Sequence, residues 1–113
     1  MGAQGKGLQV MTNQGEWIDA IAEPYELIIN MGDMMSRLTN NLLKSTLHQV
    51  VNPPRSSWSN SRYSIPFFMH PEAEMSLNCL PNCVSDENPK KYEDITAGAF
   101  LNQRLIELGL IKK

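Results

Sequence analysis

Apolar and polar side chains alternate over residues 7–12, the period-two pattern of a half-buried strand. Asn13-Gln14-Gly15 follows as a turn, with glycine where positive φ is cheap, and residues 16–21 read as the returning strand of a hairpin. After a short turn at Pro24, residues 26–30 form a β-branched run suited to a buried strand. Gly32-Asp33 marks a break, with Asp33 as the helix cap, residues 34–39 as one or two helical turns and Asn40-Asn41 as their close. Residues 44–51 are the next strand, and residues 52–61, rich in Pro, Ser and Asn, are a loop. Residues 62–69 make a further strand, whose Pro66 demands an edge position or a bulge because it cannot donate to a ladder. A last strand falls near residues 75–80, ahead of a polar, proline-punctuated segment over 81–89. Thr96 opens a helix that residues 97–108 continue and Gly109 stops. Ala99 or Phe100, Leu101, Leu105 and Leu108 recur on it at helical spacing. Trp17, Ile18, Leu27, Ile29, Phe67 and Phe68 are the expected core or sheet-packing positions. The fold class predicted is mainly β, a sandwich or part of a jelly roll, with one C-terminal helix.

Composition narrows the function. At 113 residues the chain is about one domain, and 42% hydrophobic with 19% charged residues is a globular balance. The net charge is −2 and the ten Lys and Arg are scattered, so the basic stripe of a nucleic-acid binder is missing. The longest apolar run, around residues 27–31, is far short of the roughly 20 residues a membrane span needs. No apolar leader segment opens the sequence, and Lys6 stands where myristoylation wants Ser or Thr, so a cytoplasmic location is expected. Cys79 and Cys83 are too close for an easy disulfide and have no further partners for zinc. They are expected to be two reduced, partly buried thiols.

The candidate chemistry sits on two strands. Side-chain alternation places His48 on one face with Thr46 and Val50, and Arg62 on one face with Ser64. A guanidinium and a hydroxyl two residues apart suit a carboxylate, the fork gripping both oxygens while the hydroxyl donates a further bond. Each feature alone is commonplace: Arg-x-Ser arises by chance, and a lone strand histidine is more often packed than ligating. Together, on neighbouring strands, they offer a metal ligand and a carboxylate anchor, the two things a chelating keto acid needs. Asp33 reads as a helix cap rather than a ligand, and Met31, Met34 and Met35 as gap fillers or pocket lining.

Lys44-Ser45-Thr46-Leu47-His48-Gln49-Val50-Val51-Asn52-Pro53 and Arg62-Tyr63-Ser64-Ile65-Pro66-Phe67-Phe68 resemble two signature strands of the isopenicillin N synthase-like Fe(II), 2-oxoglutarate-dependent dioxygenases. Gly7-Leu8-Gln9-Val10, Gly15-Glu16-Trp17, Asn30-Met31-Gly32-Asp33-Met34 and the stretches at 79–83 and 95–98 match the same family in order. The resemblance implies that residues 1–113 are the C-terminal part of a double-stranded β-helix (jelly roll). His48 would be the second histidine ligand of iron, and Arg62 and Ser64 would bind a carboxylate. That carboxylate is the distal one of 2-oxoglutarate in most members and the peptide substrate's in isopenicillin N synthase. Fe(II), 2-oxoglutarate, O₂ and a small organic substrate are implied for the complete domain.

The family's iron site is a facial triad of two His and one carboxylate. Its other two ligands lie in a His-x-Asp/Glu motif ahead of the Gly-Leu-Gln-Val segment. Only seven residues precede Leu8 and none is His, Asp or Glu, while His70 falls on the wrong face of its strand as a solvated residue. His48 is thus the sole expected triad ligand. The sequence describes part of an oxidoreductase, with a non-catalytic remnant, or a split half that folds with a partner chain, as the alternative. Unpaired strand edges lead us to expect self-association.

Overall fold

In a computed structural model, residues 7–52, 54–59, 61 and 63–112 are described. They fall into two compact units, one from residues 1–30 and 46–68, the other from residues 31–45 and 69–113.

The first unit is built on a three-stranded antiparallel sheet of β1 (Leu8–Met11), β2 (Trp17–Asp19) and β3 (His48–Val50), in the order β2-β1-β3. The β1–β2 hairpin forms as its residues predict. Thr12 N–H donates to Glu16 O at 2.8 Å, the Thr12 hydroxyl accepts from the Gln14 and Glu16 amides, and Gly15 takes a φ of +83°. In register, Gln9 faces Asp19 and Gln49, and Val10 faces Ile18 and His48. One face therefore carries a polar ladder: Gln49 Nε2 donates to Gln9 Oε1 at 3.0 Å and Gln9 Nε2 to Asp19 Oδ1 at 3.1 Å. The expected strand over 44–51 contracts to three residues, although Met11 N–H to Leu47 O and Val51 N–H to Gly7 O carry the bonding one step past each end.

Two expected strands are not formed. Residues 26–30 and 63–69 adopt no regular structure; Arg62, which was to open the second of them, lies outside the described residues. Trp17, Ile18, Leu27, Ile29, Phe67 and Phe68 are exposed rather than packed, Leu27 at 85% and Phe67 at 87%. A β-branched or aromatic run becomes a strand only when a neighbour completes its ladder and covers its face. No strand among the described residues does either for these segments.

The second unit begins with α1 (Asp33–Leu38). Its N-cap is Gly32 and makes no side-chain cap bond; Asp33, expected as the cap, is instead the first helical residue. There its carboxylate suits the helix's positive end and lies 3.9 Å from the Arg104 guanidinium. Asn40 and Asn41 end the helix with φ of 50° and 66°. Asparagine tolerates this left-handed region better than most residues. The expected strand at 75–80 reduces to a bridge between Ser76 and Thr96, flanked by Leu77 N–H to Ile95 O and Ala97 N–H to Met75 O, both 2.9 Å.

Helix α2 (Ala97–Glu107) starts where expected, with the Thr96 hydroxyl accepting from Ala99 N–H. It also stops where expected, at Gly109 with φ +71°, where the Leu110 and Gly109 amides return to Leu105 O and Ile106 O. The packing stripe differs from expectation. Ala97 and Phe100 join Leu77 in the buried core, with Met34 and Ile95 against it, while Leu101 and Leu108 are exposed. The Arg37 guanidinium lies 4.9 Å from the Tyr92 ring centroid and 5.4 Å from that of Phe100, and donates to Glu93 O. Cys79 and Cys83 are half-buried free thiols, as expected. Among the described residues no helix is long and apolar enough to cross a membrane.

Candidate functional site

His48 opens β3, opposite Val10 of β1, with its ring exposed. Two groups meet its Nδ1. The backbone carbonyl of Thr46 lies 3.2 Å away, and so does the Nδ2 amide nitrogen of Asn30, 18 residues earlier in the chain. A neutral imidazole carries one N–H and one lone pair, so these contacts favour opposite tautomers. A proton on Nδ1 is donated to Thr46 O and leaves the Nε2 lone pair exposed; a bare Nδ1 accepts from the Asn30 amide and leaves the proton on Nε2. Metal-ligating histidines usually donate their second ring N–H to a carbonyl or carboxylate, and Thr46 O is in that position. No hydrogen bond among the described residues engages Nε2.

The remaining site residues are less assembled. Ser64 is exposed in the irregular segment after residue 62, and no hydrogen bond joins it to His48. Arg62, the other half of the expected carboxylate clamp, lies outside the described residues. His70 belongs to the other unit and is exposed. No group of three His, Cys, Asp or Glu side chains able to hold a metal occurs among the described residues. The donor set therefore fits one vertex of an iron site, His48 Nε2, and does not fit a complete one. Asn30 was not singled out from the sequence as a site residue. Its place in the Asn30-Met31-Gly32-Asp33 stretch, just past an apolar run, was the available signal.

Comparison with known proteins identifies the family. A profile for the 2OG-Fe(II) oxygenase superfamily matches residues 1–71. A 2-oxoglutarate-Fe(II) type oxidoreductase, hxnY of Emericella nidulans, is 36% identical over 100 residues, covering 83% of this chain and 28% of its own length. A Caulobacter crescentus structure assigned to the 2OG-Fe(II) oxygenase family superposes with a TM-score of 0.89 at 49% identity, covering 96% of this chain and 36% of that one. A full-length Neurospora crassa protein, solved in complex with alpha-KG, gives a TM-score of 0.77 at 36% identity, over 89% of this chain and 31% of that one. The chain thus spans between a quarter and just over a third of the length of these relatives.

Proposed function

This chain belongs to the 2OG-Fe(II) oxygenase superfamily, and from that premise we propose that it is the C-terminal part of a jelly-roll oxidoreductase domain acting on a small organic substrate. Fe(II), with 2-oxoglutarate as co-reductant, supplies the activation of O₂ when both are bound. In this reading His48 provides one iron ligand through Nε2, and Arg62 and Ser64 hold the far carboxylate of 2-oxoglutarate. The observation that carries it is the His48 ring, backed at Nδ1 by the Thr46 carbonyl and open at Nε2. The remaining iron ligands come from polypeptide beyond the described residues.

The test rebuilds a whole domain by grafting this chain in place of the matched region of the Caulobacter crescentus relative, and follows conversion of 2-oxoglutarate to succinate. Arg62→Ala removes a charge-assisted bidentate contact, about 3 kcal/mol, and should raise KM for 2-oxoglutarate about a hundredfold. Ser64→Ala removes one ordinary hydrogen bond, about 1 kcal/mol, for about fivefold. Arg62→Lys should recover only part of the loss, because an ammonium lacks the planar fork. An unchanged KM for 2-oxoglutarate in Arg62→Ala, together with weaker binding of the prime substrate, would mean that the arginine holds the carboxylate of that substrate instead.

A second reading is favoured by the same lone histidine and by the exposed apolar segments around Leu27 and Phe67: a non-catalytic remnant or a split half that folds against a partner chain. A graft that folds and binds 2-oxoglutarate yet never turns it over would support that reading.

A further inference from the structure

We infer that Asn30 is a positioning residue for His48, one that holds the imidazole through Nδ1 in either tautomer and so lets Nε2 exchange its proton for a lone pair without the ring losing its anchor. The inference rests on the ligand reading of His48 for its purpose, but not for its geometry. Nδ1 is the nitrogen that faces the protein, with Thr46 O and Asn30 Nδ2 both at 3.2 Å. The two partners are not equivalent. A backbone carbonyl only accepts, so Thr46 serves the ring solely when Nδ1 is protonated. A primary amide does both. Asn30 donates Nδ2–H to a bare Nδ1, and after a half-turn about its last side-chain bond its Oδ1 accepts from Nδ1–H instead.

The consequence concerns the opposite nitrogen. Metal ligation at Nε2 requires the Nδ1–H tautomer. With the Asn30 amide donating, Nε2 keeps its proton; with the amide turned, two acceptors grip Nδ1–H and the Nε2 lone pair points outward. Asn30 is exposed and lies in no strand or helix, so solvent can take up whichever amide group turns away from the ring. The contact assigned to Asn30 is with the His48 ring. In this role it acts through His48.

The test reads the tautomer directly. His70→Gln leaves His48 as the single histidine of the 113-residue chain. Ring nitrogen-15 spectra of the histidine-labelled protein, taken by magic-angle spinning on sedimented samples so that association is no obstacle, then report the ratio of Nδ1–H to Nε2–H. Asn30→Asp replaces the two-way amide by a pure acceptor, and Asn30→Leu removes the bond at similar size. A charge-assisted hydrogen bond should enrich Nδ1–H about ten- to a hundredfold in Asn30→Asp over Asn30→Leu, with the native asparagine below the aspartate.

One ratio shared by all three proteins would overturn the inference, because Thr46 alone would then set the ring. Unchanged carbon shifts in the β1–β2 hairpin check that the variants keep their fold. Zinc chloride, added near neutral pH to the graft of this chain into the Caulobacter crescentus relative, separates the inference from the reading beneath it. If Asn30 controls the tautomer but zinc never perturbs Nε2 of His48 in the graft, the positioning role stands and the ligand assignment of His48 falls.

Discussion

Replacing Asn40 tests whether a single buried amide holds the second unit together. Its side chain is fully buried. Nδ2 lies within 3.3 Å of three carbonyls, those of Cys83, Asn88 and Pro89, and Oδ1 accepts from the Lys91 amide at 3.0 Å. Two N–H groups among three acceptors make about two full bonds, and Lys91 adds a third, at about 1 kcal/mol each. The left-handed φ of 50° adds about 1–2 kcal/mol for any β-carbon-bearing residue other than Asn or Asp. Asn40→Ala should therefore cost about 4–5 kcal/mol. Asn40→Gly relieves the φ penalty, partly offset by the greater freedom of glycine in the unfolded chain, and should be milder by about 1 kcal/mol.

The assay is amide hydrogen exchange at Leu77, Ala97 and Phe100, which report opening of the unit's core, and at Lys91, which loses its acceptor outright. Each 1.4 kcal/mol is tenfold, so core amides of Asn40→Ala should exchange about a thousandfold faster than native, and those of Asn40→Gly about fivefold slower than those of Asn40→Ala. Near-native exchange in Asn40→Ala would refute the hydrogen-bond part of the reasoning, and faster exchange in the glycine variant than in the alanine one would refute the backbone part.

Gly98→Ala should lower the melting temperature. A β-carbon there would sit 3.0 Å from Ala73 Cβ and 3.1 Å from Ala73 O, at a backbone contact already closed by Gly98 N–H to Ala73 O. That crowding, about 1–3 kcal/mol, outweighs the helix propensity gained, and adding Ala73→Gly should recover only part, because the carbonyl clash remains. The isolated chain should self-associate, since Tyr25, Leu27, Ile29, Tyr63, Ile65 and Phe67 are all at least three-quarters exposed within one unit. Light scattering that reports a stable monomer with a cooperative thermal transition would count against this.

The parts of the fold that were legible in the sequence are those decided within about four residues. Gly15 closing the hairpin, Thr96 capping α2 and Gly109 ending it each depend on a local φ or a local bond, and each stands where the residue type predicts. The misplaced cap at α1 is a one-residue displacement, since Gly32 and Asp33 both carry start signals. The strands expected at 26–30 and 62–69 differ for another reason. Their residues record a preference for a covered, paired environment, and pairing is a property of the partner. The same distance in sequence hid the side chain that meets the His48 ring. His48 is conspicuous on its strand, whereas Asn30 becomes its neighbour only through the fold. The Asn40 hub shares that history: its left-handed turn was visible in Asn40-Asn41, but the carbonyls of 83–89 that it satisfies were not.

The central claim, that His48 is an iron ligand of an oxygenase domain completed by other polypeptide, is tested most directly by anaerobic Fe(II) binding. Equilibrium dialysis compares the 113-residue chain, its graft into the Caulobacter crescentus relative, and the graft carrying His48→Ala. One histidine leaves iron mostly aquated, so the chain alone should show no tight site, while the graft binds one iron and His48→Ala weakens it by at least about a hundredfold. Tight one-to-one binding by the isolated chain, or a graft whose iron affinity survives His48→Ala, would contradict it.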